Sequence, residues 1–233
     1  MEEVRALAEP WFPIAKAAVL PPLRLWFEWH FEGLDAIPPQ GPAIVACNHI
    51  SYLDPLANAY AIVGAGRRPR FLAKDELFRI PLIGSVLRGT GQIPVRRGTQ
   101  DVSPMRRLTK AVTEDEVVLI YPEGTVTKRP DHLPMPEAKT GAVRLSLATG
   151  VPITPMASWG SQAVWQKSGR GSLKFGRPVW VKVGPAIDLS DRTEQADDRE
   201  ALREMTGEVM GALTALTEDL RARYPRRWAS PDG

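Results

Sequence analysis

Two side chains set five positions apart carry the clearest chemical possibility in the chain. His49 and Asp54 lie in the stretch Asn48-His49-Ile50-Ser51-Tyr52-Leu53-Asp54. An aspartate that accepts from one imidazole nitrogen fixes the tautomer and stabilises the imidazolium as it forms. The other nitrogen is then available to take a proton from a hydroxyl. If the substrate hydroxyl is itself the nucleophile, no serine or cysteine is needed for that role. The same spacing also fits a structural histidine beside an aspartate that caps the next helix, because Asp is a favoured N-cap and Pro55 suits the first turn. Spacing alone leaves both readings open. The chain has three histidines and one cysteine, and only His49 has a partner at useful spacing, so no metal site is expected.

The elements around this pair alternate. Ala43-Ile44-Val45-Ala46-Cys47 is a short apolar run that reads as a buried strand, and a helix is expected over 55–63. Further strands are expected at 70–73, 92–95, 117–121, 153–157 and 179–183. Helices are expected at 102–113, at 138–149 ended by Gly150, and over 193–223. Such alternation predicts an α/β fold, a mostly parallel central sheet flanked by helices. His49 would then sit at the carboxyl end of a strand, where sites form in open α/β sheets. Cys47, at the end of that strand, reads as a small core residue.

Residues 11–31 are rich in Trp, Phe and Leu. Pro21-Pro22 is expected to divide them into an N-terminal apolar two-helix segment, the second helix carrying Leu23, Trp26, Phe27 and His30 on one face. Lys16, Arg24, Glu28 and Glu32 argue against spanning a bilayer. The segment suits a bilayer interface or a cap over the core. The organisation expected is therefore amphipathic helices at 1–32 and an α/β domain at 33–233.

Composition narrows the function. The net charge is +3, with no run of Lys and Arg interleaved with aromatics, so no nucleic-acid partner is expected. The lone cysteine suits a reducing compartment. No signal peptide and no run of 18 uncharged apolar residues is evident. Without Gly-x-Ser-x-Gly, an ordinary serine lipase is disfavoured.

Four blocks in order then resemble the glycerolipid acyltransferase family, whose best-known members are bacterial 1-acylglycerol-3-phosphate acyltransferases. Residues 48–54 are similar to its NHxxxxD motif. Lys74-Asp75-Glu76-Leu77 through Pro81 and Gly84, running on to Gly91-Gln92-Ile93-Pro94-Val95-Arg96-Arg97, resembles its second block. Tyr121-Pro122-Glu123-Gly124-Thr125 resembles F-P-E-G-T, and Val151-Pro152-Ile153-Thr154-Pro155-Met156 resembles V-P-I-x-P-V. The resemblance covers residues 33–160. It implies acyl transfer from acyl-CoA or acyl carrier protein to the hydroxyl of a lysophospholipid, with no further cofactor. His49 would be the general base and Asp54 its orienter. Lys74, Arg96, Arg97, Glu123, Gly124 and Thr125 would bind the acceptor and its phosphate, Arg97 foremost. The loop at Gly124 is the candidate for oxyanion stabilisation. The implied setting is peripheral or monotopic, with membrane lipid as partner, on the cytoplasmic face of the cell membrane.

One departure bears on the acceptor. Where relatives carry an arginine after Glu-Gly-Thr, this chain has Val126, with Lys128 and Arg129 following as possible substitutes. The same chemistry on glycerol-3-phosphate, another lysolipid or a glycolipid therefore stays open. So do a thioesterase or lipid hydrolase and a non-catalytic lipid-binding protein. Arg67, Arg68 and Arg70 could face anionic headgroups or an acidic carrier, or form a solvated loop.

Overall fold

The computed structural model describes residues 11–96 and 103–228. Its centre is a seven-stranded sheet in the order β1-β7-β6-β2-β5-β3-β4. The strands are β1 (Phe27–Glu32), β2 (Ala43–Cys47), β3 (Pro69–Lys74), β4 (Ile93–Val95), β5 (Val117–Ile120), β6 (Ile153–Trp159) and β7 (Arg177–Val183). β2 pairs in parallel with β5 and β6, β5 with β3, and β3 with β4. β7 runs antiparallel to β6, and β1 runs parallel to β7. The expected mostly parallel sheet is thus present, with two reversed strands at one edge.

The uniformly apolar sequences of β2 and β5 follow from being covered on both faces. Side chains alternate along a strand. Ile44 and Ala46 of β2 join a core with Val118, Ile120, Leu108, Leu145, Met205 and Leu213. Val45 and Cys47 join the opposite core with Leu119, Ile62, Met156 and Val181. Helices α4 (Ser103–Thr113), α5 (Gly141–Thr149) and α6 (Arg199–Arg223) cover the first face. α1 (Trp11–Trp26) and α2 (Asp54–Gly64) pack on the second, and the short α3 (Ile83–Gly89) lies between β3 and β4 in the chain. Gly150 ends α5 at φ +71°, a left-handed backbone that glycine adopts without strain.

The N-terminal expectation needs correction. Residues 11–31 do not form two helices split at Pro21-Pro22. A single helix, α1, passes through both prolines and ends at Trp26, and Phe27–Glu32 is the edge strand β1. The physical reason is legible in retrospect. Phe27, Trp29 and Phe31 alternate with Glu28, His30 and Glu32, a period of two that outweighs the coincidental helical spacing of Leu23, Phe27 and His30. Trp29 stacks on Phe31 with ring centroids 5.7 Å apart, and Tyr60 of α2 meets both rings edge-on.

This topology defines one functional end. The carboxyl ends of β6, β2, β5, β3 and β4 emerge together. The beginnings of β7 and β1 emerge beside them, since Trp159 pairs with Trp180 and Arg177 with Phe27. Arg67, Arg68 and Arg70 lie at the other end and work internally. Arg67 donates to the carbonyls of Pro38, Gly41 and Asp115. Arg70 forms a two-pronged pair with Glu116, and Arg68 sits 5.2 Å from the Phe12 ring centre. None of the described helices is long and apolar enough to cross a membrane.

Candidate active site

His49 follows β2 by two residues, and Asp54 opens α2. Both are buried, Asp54 completely. The His49 Nδ1 lies 3.0 Å from Asp54 Oδ2. The same oxygen accepts the backbone amides of Ile50 at 2.6 Å and Ser51 at 2.7 Å. Oδ1 accepts the hydroxyls of Ser161 at 2.6 Å and Ser158 at 3.3 Å. Five donors thus meet one carboxylate, the satisfaction that a buried acid requires. Asp54 does not cap α2. The N-cap position is Leu53, without a side-chain cap, and the carboxylate turns back toward the loop. The helix-cap alternative is therefore set aside in favour of an aspartate that orients the imidazole.

With Nδ1–H donating to Asp54, the lone pair resides on Nε2. Among the described residues, no side chain hydrogen-bonds that nitrogen. The nearby hydroxyls are engaged elsewhere: Ser51 donates to the Trp165 carbonyl, while Ser158 and Ser161 donate to Asp54. Cys47 is enclosed in the core. Burial first, and the Asp54 charge second, push its thiol well up, away from the thiolate a nucleophile needs. Among the described residues, the imidazole therefore has an open nitrogen and no serine or cysteine hydrogen-bonded to it.

The backbone of His49 is clamped from β5. Glu123 accepts the His49 amide at 2.7 Å on one oxygen and the Met135 amide at 3.0 Å on the other. The Thr127 amide donates to the His49 carbonyl at 2.7 Å. Burial is the main reason that the Glu123 carboxyl is raised to about 7, the two amides opposing it and the Asp54 charge adding to it. The Tyr121 ring packs against the imidazole, centroids 4.5 Å apart, and its hydroxyl accepts from Asn58 at 3.1 Å. Asn48 is a cross-sheet fastener. Its amide donates to the Ser158 carbonyl at 3.0 Å and to the Thr217 hydroxyl at 3.3 Å, and its oxygen accepts the Ser158 amide at 2.9 Å.

The other expected site residues divide into two groups. Glu123, Gly124 and Thr125 lie in the turn beside His49. Both oxygens of Glu123 are taken up by the chain's own amides. Gly124 adopts φ +64° and its amide donates to the Tyr121 carbonyl at 2.9 Å, which commits that donor to the turn. The Thr125 hydroxyl accepts from Lys167 at 2.7 Å. Lys74 and Arg96 sit at the same end of the sheet, at the tips of β3 and β4. They lie two and three strands from β2, roughly 10 and 15 Å at the usual strand spacing. Both are exposed, and Arg96 contacts Asp75 at 3.3 Å. Gly84 belongs to the same region, and a side chain there would collide with the Phe78 carbonyl. Arg97 lies outside the described residues. Val126, the departure from the resemblance, is buried.

Sequence reasoning missed Ser158, Ser161, Tyr121 and Asn58 as supports of the pair. It also missed a basic cleft that opens beside Ile50 and Thr127 and includes Lys167 and Arg177.

The comparisons agree with this architecture. The sequence profile of the Acyltransferase family matches residues 28–159, more than half of the chain, and the chain belongs to that family. A 1-acyl-sn-glycerol-3-phosphate acyltransferase of Bacillus subtilis is 30% identical over 185 residues, covering 77% of this chain and 87% of the relative. The chloroplastic 1-acyl-sn-glycerol-3-phosphate acyltransferase of Brassica napus is 28% identical over 154 residues. The chain spans 43% of that relative's length, and about half or less of similar plant and algal proteins. The crystal structure of the 1-acyl-sn-glycerophosphate acyltransferase of Thermotoga maritima superposes with a TM-score of 0.69. It has 24% identity and covers 94% of this chain and 81% of that one, a likeness of fold.

Proposed function

We propose that the chain transfers a fatty acyl group from a thioester donor to the hydroxyl of a lysophospholipid at a membrane surface. The simplest case is conversion of lysophosphatidic acid to phosphatidic acid. The observation that carries this reading is the His49–Asp54 pair, with Nε2 open and no serine or cysteine hydrogen-bonded to it among the described residues. The names of the relatives support the acceptor class. His49 Nε2 takes the proton of the acceptor hydroxyl as its oxygen attacks the thioester carbonyl carbon. Asp54 stabilises the imidazolium. The tetrahedral intermediate then collapses, the carbon–sulfur bond breaks, and the departing thiolate takes the proton back from His49. Because Val126 replaces an arginine with a buried apolar side chain, acylation of another phosphorylated or glycosylated acceptor is the second reading.

The membrane setting draws on where apolar side chains are exposed. Trp26, Phe175, Leu173, Trp165, Tyr52, Leu77, Ile80 and Leu82 are all exposed, and all lie at or near the end of the sheet that carries His49. Leu82, 76% exposed, occupies a strained γ-turn at φ +66°, closed by the Ile83 amide on the Pro81 carbonyl at 2.8 Å. Large apolar surface rimmed by polar residues marks a binding face. We assign this end to the cytoplasmic face of the cell membrane, in peripheral or monotopic attachment.

The test is acyl transfer in detergent or lipid, using labelled palmitoyl thioesters. The acceptors are lysophosphatidic acid, glycerol-3-phosphate, other lysophospholipids and none. One acceptor is acylated, and His49→Ala loses at least ~100-fold, the low end for removal of a general base. Equal thioester consumption without acceptor would instead establish a hydrolase.

A further inference from the structure

β6 ends at Trp159, and the chain turns sharply at Gly160, where φ is +95°. A Cβ there would lie 2.3 Å from the Pro178 carbonyl oxygen, so this exit from the strand needs glycine. The short turn that follows, Ser161–Ala163, returns the chain to the catalytic loop. The Ser161 side chain is fully buried, and its hydroxyl donates to Asp54 Oδ1 at 2.6 Å. The Ser158 hydroxyl reaches the same oxygen only at 3.3 Å, and it is shared with Asn48 Oδ1 at 3.2 Å. Ser161 is thus much the closer of the two hydroxyl donors.

The turn itself does not use that hydroxyl. It closes through the backbone, with the Ala163 amide on the Gly160 carbonyl at 3.3 Å and the Val164 and Trp165 amides on the Ser161 carbonyl at 2.9 and 3.3 Å. The Gln162 side chain accepts the Gly160 amide at 2.7 Å. The Trp165 carbonyl then accepts the Ser51 hydroxyl at 2.9 Å and the Tyr52 amide at 3.1 Å. The turn is therefore stitched to the loop between His49 and Asp54 by bonds that exclude the Ser161 side chain. What remains for the Ser161 hydroxyl is the carboxylate of Asp54.

We propose that Ser161 is a positioning residue for the reaction: acting through Asp54, its hydroxyl fixes the tautomer and the angle of the His49 ring. The inference rests on the acyltransferase reading and adds a residue to it. A carboxylate can turn about its Cβ–Cγ bond. Two backbone amides pin Oδ2 at 2.6 and 2.7 Å, and the His49 ring meets the same oxygen at 3.0 Å. Donors on one oxygen fix a point, and a close donor on the other fixes the plane. Without the Ser161 hydroxyl, Oδ1 keeps only the shared bond from Ser158. A buried carboxylate short of a donor moves toward those that remain. The bond to the ring is the longest of the three on Oδ2 and the one whose donor can rotate, so it yields first. The imidazole then spends part of its time with the lone pair on the wrong nitrogen.

Two measurements on the full chain test this: turnover of a palmitoyl thioester with lysophosphatidic acid, and nitrogen-15 spectra of the histidine-labelled protein. The chain has three histidines, and His49→Ala identifies the signals of that ring. Ser161→Ala should lower kcat about 10-fold, the effect of about one charge-assisted hydrogen bond, with the KM values unchanged. At about pH 8.5, above the ordinary imidazole range, the His49 ring should pass from the Nδ1-protonated tautomer to a mixture. Ser161→Thr keeps the hydroxyl and should restore both properties, and Ser161→Cys, a weak donor, should fall between Thr and Ala. Wild-type kcat in Ser161→Ala would overturn the proposal. So would a loss of kcat with the ring signals of the wild type, or a loss carried by KM. If Ser161→Ala fails to fold, Ser161→Cys is held to the same criteria. The ring signals are read without turnover. A wild-type chain that transfers nothing would refute the acyltransferase reading, while a tautomer change in Ser161→Ala would still establish the link from Ser161 to His49.

Discussion

Asp54 Oδ2 accepts from the His49 ring and from two backbone amides at once, while Oδ1 takes two serine hydroxyls. An amide in its place cannot reproduce this, because one of its two terminal atoms becomes a donor facing donors. Asp54→Asn is therefore expected to lower kcat by on the order of 10⁴, since an orienting carboxylate that is lost lets the wrong tautomer prevail. The measurement is kcat at saturating donor alongside the far-ultraviolet spectrum. Retention of activity within a factor of ten in a folded variant would remove Asp54 from the mechanism. At this scale the pair itself was legible, because both partners sit on one short loop whose spacing is visible in the chain. Ser158 and Ser161 were not, because they reach Asp54 from more than a hundred positions away and nothing in their local pattern marks the contact.

Strands and helices were legible where a single period dominated. β2 and β5 are wholly apolar, and α5 ends on a glycine at positive φ, so their places followed from composition and punctuation. β1 was not, because aromatic residues at alternate positions also satisfied a helical spacing, and pairing with β7, 150 positions later, decided between them. The turn after β5 read as family chemistry, whereas its carboxylate ties two elements together. Glu123 joins the end of β2 to the segment before α5 through the amides of His49 and Met135. Burial raises this carboxyl from 4.5 to about 7, so between those values the folded chain holds a proton that the unfolded chain releases. Its contribution to stability thus declines as pH rises from about 4.5 to 7 and is level above that. Thermal midpoints taken from pH 5 to 8 should show this decline in the wild type and lack it in Glu123→Gln. Parallel curves for the two proteins would exclude the group.

The whole molecule is asymmetric from end to end. One end of the sheet is closed by Arg67 and Arg70, bound to carbonyls and to Glu116. The other end carries the histidine, the basic cleft and a group of exposed apolar side chains that includes Leu82, Phe175 and Trp165. A substrate that joins a charged head to a hydrocarbon tail needs those features together, with the tail never leaving an apolar phase. The same arrangement predicts how the chain meets a bilayer. Leu82 and Leu25, 76% and 73% exposed, gain most from immersion, each about 1.5 kcal/mol or more when fully buried. Leu25→Asp/Leu82→Asp should therefore cut partitioning onto lipid vesicles by at least ~100-fold, the equivalent of about 3 kcal/mol. Their exposure also means that the fold itself loses little by the change. Sedimentation with sucrose-loaded vesicles measures the partitioning, and transfer to a short-chain acceptor soluble in water measures the chemistry. Loss of partitioning with chemistry retained separates a docking face from the catalytic pair. Unchanged partitioning would shift the membrane contact away from this end of the sheet.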